Sequence, residues 1–128
     1  MYKSAYKFIA EALRTTLSAG RTGIYFGGTA AYPRVECHTF IENPPQDKGD
    51  SVRVVSVIVE SISIKSAADA AQMNADNLAL LGDLSAADTD FKVIGTVPTQ
   101  LQEIPETSDT QKILYRVLQS IDIYVQQL

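Results

Sequence analysis

An α+β domain, with a mostly antiparallel sheet of four or five strands and two helices packed on one face, is what three features of this 128-residue chain predict. Two stretches carry helical spacing, Ser4 to Ala19 and Ser66 to Gly82. Runs rich in Val, Ile and aromatic residues lie between and after them, the longest being SVRVVSVIVESISIK at Ser51 to Lys65. Breaks rich in Pro, Gly and Asp separate these runs, so the order reads helix, strand, strand, strand, helix, strand, strand over a single domain spanning residues 1–128.

In the first segment Ala5, Phe8, Ile9, Ala12, Leu13 and Leu17 recur at spacings of three and four, with Lys7, Glu11 and Arg14 on the other side. That is an amphipathic helix, and Gly20 can take the left-handed conformation that ends it. GIYF (Gly23 to Phe26) and RVECHTFIE (Arg34 to Glu42) flank the turn-rich GGTAAYP and predict two strands joined as a hairpin. NPPQDKGD, Asn43 to Asp50, cannot continue a strand, because its prolines remove ladder donors. It is predicted to be an exposed loop.

Ser51 to Lys65 has no breaker and is the strongest strand in the chain. Val55, Val57 and Val59 point to one face, and Val54, Ile58, Ile62 and Ile64 to the other. Helices of the same chain can roof one face; the other calls for a second layer or a neighbouring subunit. Ser66 and Asp69 then resemble a capping box opening SAADAAQMNADNLALLG, whose buried side is expected to hold Ala67, Ala71, Ala75, Leu78 and Leu81. After the polar connection DLSAADTD comes a short strand, FKVIGTV. PTQLQEIPETSDT, with Pro98 and Pro105, reads as irregular or as an edge strand.

Lys112 to Gln126 fits two templates. At helical spacing Ile113, Leu114, Val117, Leu118, Ile121 and Val125 form one stripe; at strand spacing Ile113, Tyr115, Val117, Ile121, Ile123 and Val125 line one face. The strand is favoured, because a strand as long as Ser51 to Lys65 needs a long neighbour to satisfy its backbone.

Composition narrows the function. Eleven basic against fifteen acidic residues, net charge −4 and a pI near 4.8 are the wrong balance for gripping a phosphate backbone, so specific nucleic-acid binding is not expected. Cys37 is the single cysteine, which leaves no internal disulfide framework and suits a reducing compartment. No apolar run approaches the roughly 20 residues that span a bilayer, and MYKSAYKF lacks a signal-peptide core. A soluble, intracellular protein without a membrane partner is the expectation.

Motifs of chemistry are weak. Cys37 and His38 are neighbours in a strand, so they point to opposite faces and cannot converge on one substrate or ion; a buried thiol and a surface imidazole are expected. GIYFGGTA lacks the Lys-Ser/Thr of a phosphate loop and leads into a strand. Asp69, Asp76 and Asp83 share a helix face about two turns apart, too far to share an ion, and Asp88 and Asp90 complete no calcium loop. The tyrosines 2, 6, 25, 32, 115 and 124 are scattered rather than interleaved with basic residues. No catalytic residue, cofactor site or metal site is expected.

The helix, the strand ending in YPRVECHTF, the Pro/Gly-rich loop, the long strand RVVSVIVESISI, the helix SAADAAQMNADNLALL and the final ILYRVLQSIDIYV together resemble, in order and pattern, the tail terminator or tail completion proteins of long-tailed bacteriophages and prophages. The resemblance spans nearly the whole length and rests on no signature residue. It implies a structural virion protein, made in the bacterial cytoplasm, that assembles as a hexameric ring on the head-proximal end of the tail tube. Such a ring stops polymerisation and faces the head–tail connector, so the implied partners are other copies of the chain, the major tail tube protein and the connector. Contact regions are then expected in the loop Asn43 to Asp50, with Pro44, Pro45, Asp47, Lys48 and Asp50, and in the connection Leu84 to Asp90, with Asp88 and Asp90. Glu60 and Arg116, set inside apolar strands, form either a cross-strand pair or an intersubunit contact. Two other readings share the element order: another virion or secretion-apparatus adaptor, and a ligand-binding or enzymatic domain with a polar-lined pocket between sheet and helices.

Overall fold

A computed structural model describes residues 3–18, 24–25, 33–43, 51–109 and 112–128. Their elements run α1 (Tyr6–Leu17), β1 (Ile24–Tyr25), β2 (Arg34–Asn43), β3 (Val52–Ser63), α2 (Ala67–Gly82), β4 (Phe91–Asp109) and β5 (Lys112–Gln127). The strands form one five-stranded sheet in the order β1-β2-β3-β5-β4, antiparallel at every pairing except β1 with β2. The α+β class and the order of elements are as the sequence predicts.

Lys112–Gln127 is a strand, and its position explains why. β5 lies between β3 and β4, so it shares ladders on both sides and leaves few backbone groups to water. Its register with β3 places Ile121 opposite Val57 and Ile123 opposite Val55 on the face under the helices. These residues, with Val59, Val125, Val35, Cys37, Phe91 and Val93 of the sheet and Ile9, Leu13, Leu17, Met73 and Leu81 of the helices, make the main core. Phe91 to Asp109 is one edge strand, continuous through PTQLQEIPETSDT, with register shifts between Val93 and Gly95, Pro98 and Leu101, and Ile104 and Thr107. The bulges let the strand pass its prolines without breaking the ladder to β5.

Two expectations are corrected. β1 runs parallel to β2, pairing Ile24 with Val35 and Tyr25 with Glu36, so the two are no hairpin. A hairpin joins opposed neighbouring strands by a tight turn, and a parallel register is incompatible with that. The buried side of α2 is Ala70, Met73, Asn74, Asn77 and Leu81, while Ala71 and Ala75 are exposed, Ala67 and Leu78 half-buried. The helix is turned because the sheet beneath it is polar there. Asn77 Nδ2 donates to Ser61 Oγ (2.9 Å), and Asn74 Nδ2 reaches Gln119 Oε1 (3.4 Å). Burying those sheet groups beneath alanines would leave them without partners, at about 1–3 kcal/mol each.

Ser66 caps α2, its Oγ accepting from the Asp69 N–H at 3.0 Å, as the Ser-x-x-Asp pattern predicts. The Asp69 carboxylate in turn accepts from Ser63 Oγ at 2.6 Å, tying the cap to the end of β3. Gly82 is the last residue of α2. Gly20 and the loop residues 44–50 lie outside the described residues.

Candidate functional site

With both helices on one face, the pairings fix what the other face of the sheet presents. Val52, Val54, Ser56, Ile58, Glu60 and Ile62 of β3 stand there, opposite Gln126, Tyr124, Asp122, Ser120, Leu118 and Arg116 of β5. β2 adds Arg34, Glu36, His38, Ile41 and Asn43, and β4 adds Lys92, Val97, Gln102 and Ile104. Alternation by two puts every one of these side chains away from the helices.

One end of this face is closed. Ile62 and Leu114 are fully buried although they lie outside the main core cluster, so the expected demand for external cover does not extend to them. Over the rest of the face Val52, Val54, Ile58, Leu118 and Tyr124 are half-buried, and Ile41 and Val97 are exposed. These apolar groups are interspersed with Ser120 and with Ser56, whose Oγ donates to Asp122 Oδ1 at 2.7 Å.

A charged row crosses three strands beside the apolar patch. Arg116 Nη1 lies 2.5 Å from Glu60 Oε2, and His38 Nε2 lies 2.9 Å from Glu60 Oε1. Of the two alternatives for Glu60 and Arg116, the structure thus contains the cross-strand pair. Arg34 Nη2 pairs with Glu36 Oε2 at 3.0 Å. Thr39 Oγ1 is 2.8 Å from His38 Nδ1; in the tautomer that donates Nε2–H to Glu60, Nδ1 accepts the Thr39 hydroxyl proton. Thr39 has φ 59°, an uncommon value for a β-branched residue, at the bulge between His38 and Ile41. Hydroxyl, imidazole and carboxylate in this order are also the parts of a nucleophilic relay, but Glu60 is shared with Arg116 and the row neutralises a buried carboxylate.

Cys37 points the opposite way, into the core, as adjacency in a strand requires. Desolvation by burial, with repulsion from Glu36 as the smaller cause, pushes its thiol from the ordinary 9.0 up to about 12. A thiol reagent at pH 8 is therefore expected to label Cys37 only after denaturation. The sign for stability follows: the native thiol keeps its proton longer than the unfolded one. Stability is complete below the ordinary 9.0 and declines as pH rises towards about 12, which an alkaline urea-titration series measures.

The remaining predicted residues separate. Asp88 Oδ1 accepts from the N–H groups of Asp90 and Phe91, both at 2.8 Å, so this side chain shapes the turn into β4. Asp90 pairs with Lys3 at 3.0 Å, both well exposed, an arrangement worth little to stability. Pro44, Pro45, Asp47, Lys48 and Asp50 lie outside the described residues. Asp69 is engaged with Ser63, and Asp76 accepts from Gln72 Nε2 at 2.9 Å. Among the described residues no three His, Cys, Asp or Glu side chains are placed to hold a metal, and no helix is long and apolar enough to cross a membrane.

A shallow groove of about 340 Å³ runs between α1 and the connection before β4, lined by Phe8, Glu11, Thr15, Ser85 and Asp88 among others. Glu60 and Arg116 are on the far side of the sheet from it, so they do not line a cleft between sheet and helices.

Sequence reasoning does not find the place of His38 in the charged row, since only the register puts β2 residue 38 within reach of β3 residue 60. It also passes over Arg53. That residue shares the inward face of Val55 and Val57, and a charge in that alternation was the available signal.

No model of a known protein family matches the chain, and no curated protein matches it.

Proposed function

We propose that the chain is a structural subunit of a long-tailed phage or prophage, closing the head-proximal end of the tail tube as a hexameric ring and joining it to the head. The role is assembly, without a catalytic step or cofactor. One observation carries the reading: the helices cover only one face of the sheet, and the other keeps an apolar patch of Val52, Val54, Ile58, Leu118 and Tyr124 beside a charged row already neutralised within the chain. Neutralised charges can enter an interface without leaving an unpaired ion behind, so this face suits contact with protein better than contact with phosphate. The order of elements supports the same family resemblance. Partners on this reading are further copies of the chain, the major tail tube protein and the head–tail connector.

The test is imaging of purified tail tubes incubated with the chain. A ring of copies at one end of each tube is the expected outcome; binding along the tube sides, or no binding, contradicts the reading.

A further inference from the structure

The outer edge of β4 is not uniform. Its first part is capped by the chain itself: the Val93 N–H donates to the Ala86 carbonyl at 2.9 Å, the Asp88 N–H donates to the Phe91 carbonyl at 2.9 Å, and Ala87 bridges to Lys92. Phe91 and Val93 therefore turn their backbone groups away from β5. In an antiparallel ladder this orientation alternates residue by residue, and each bulge shifts it by one. Carried through the register, the outward set continues as Thr96, Pro98, Leu101 and Glu103. Two observations agree with that assignment. Pro98, which has no N–H to give to β5, falls in the outward set. The Ser120 carbonyl, which must then face β4, accepts from Thr99 Oγ1 at 3.2 Å.

Beyond the capped part the edge is open. Every residue from Val97 to Glu103 is exposed, Leu101 at 62%, and among the described residues no strand pairs on this side of them. Leu101 and Glu103 thus offer outward N–H and C=O groups, flanked by Pro98 and Pro105. Such an edge recognises an extended backbone. The prolines and bulges on either side limit pairing to a short stretch, which fits a contact that closes and does not propagate indefinitely.

We propose that this open edge, Pro98 to Ile104, takes an extended segment of a second copy of the chain as an added strand. The inference rests on the ring reading, which supplies the second copy. Charge favours that occupant: Glu103 is the single charge in the stretch, so two chains of net charge −4 meet here with little like-charge opposition. The added strand runs along Leu101 on one face of the sheet and along Val97 and Ile104 on the other.

Amide hydrogen exchange on free and tube-bound chain tests this, together with Glu103→Pro and Glu103→Ala. Glu103→Pro removes an outward donor and no bond to β5, and the preceding Gln102 is already in the extended conformation a proline tolerates. The Leu101 and Glu103 amides are expected to slow by about tenfold or more on assembly while the Gln102 amide, already paired with β5, changes little. Glu103→Pro should lose its place in the ring, and Glu103→Ala should keep it. Rings in which the Leu101 and Glu103 amides exchange as in the free chain overturn the edge contact and leave the ring reading standing. The exchange result decides this even where the proline variant misfolds. A wild-type chain that forms no ring on tubes overturns both.

Discussion

Replacing Glu42 by alanine is expected to cost about 3–5 kcal/mol of stability, because it strips the partner from a buried charge. Arg53 is on the helix-covered face of β3 with its side chain 1% exposed, and its Nη1 lies 2.7 Å from Glu42 Oε2. The same guanidinium bonds the Lys3 carbonyl and Gln127 Oε1 and sits 5.3 Å from the centre of the Phe91 ring. Glu42 also accepts from the Ala5 N–H and from Ser4 Oγ, each at 2.9 Å, so it ties the start of α1 to the sheet. Its loss takes a carboxylate from a buried cation and loosens a helix terminus at once. Urea unfolding should show a lower midpoint with unchanged slope. Glu60→Ala provides the contrast: its partners Arg116 and His38 are 26% and 31% exposed and can turn to water, so the loss should be clearly smaller.

Ile123→Ala is expected to cost about 2–5 kcal/mol, the range for truncating a buried aliphatic side chain where the surroundings cannot collapse. Ile123 is fully buried in the C-terminal half of β5 and belongs to the core between sheet and helices. Tyr124, the next residue, faces the open side opposite Val54 and Gly95 and is half-buried. Tyr124→Ala should cost the isolated chain less, yet weaken its binding to tube ends. Opposite rankings of neighbouring residues in the two assays would separate fold from assembly; equal loss of stability at both would mean that the chain covers the second face itself.

Much of the fold was legible from periodicity. The stripe Ile9, Leu13, Leu17 located α1, and the breaker-free run of Val and Ile located β3. Lys112 to Gln126 fitted both templates locally, and the requirement that a long strand have a long neighbour, together with its β-branched residues and two tyrosines, separated them. The rotation of α2 was not legible, since alanines at Ala71 and Ala75 fit a close-packed face as well as an exposed one. What decided it was Ser61 and Gln119, on strands whose register the sequence does not reveal. The direction of β1 was missed for a similar reason: Gly-rich connections serve tight and long returns alike. Of the candidate site, Glu60 and Arg116 stood out as charges in apolar strands, whereas His38 joins them only through the β2–β3 register. Asp88 and Asp90 were conspicuous for their charge, but the backbone geometry engages Asp88 in the turn and leaves Asp90 in a surface pair.

On the proposed function, this chain ends a tail tube. The most direct measurement is the length distribution of tails assembled with and without it, read by electron microscopy in the phage or prophage that encodes the chain. Tails of uncontrolled length that fail to join heads are the predicted result when the chain is removed. Tails of normal length, joined to heads as before, would contradict that role.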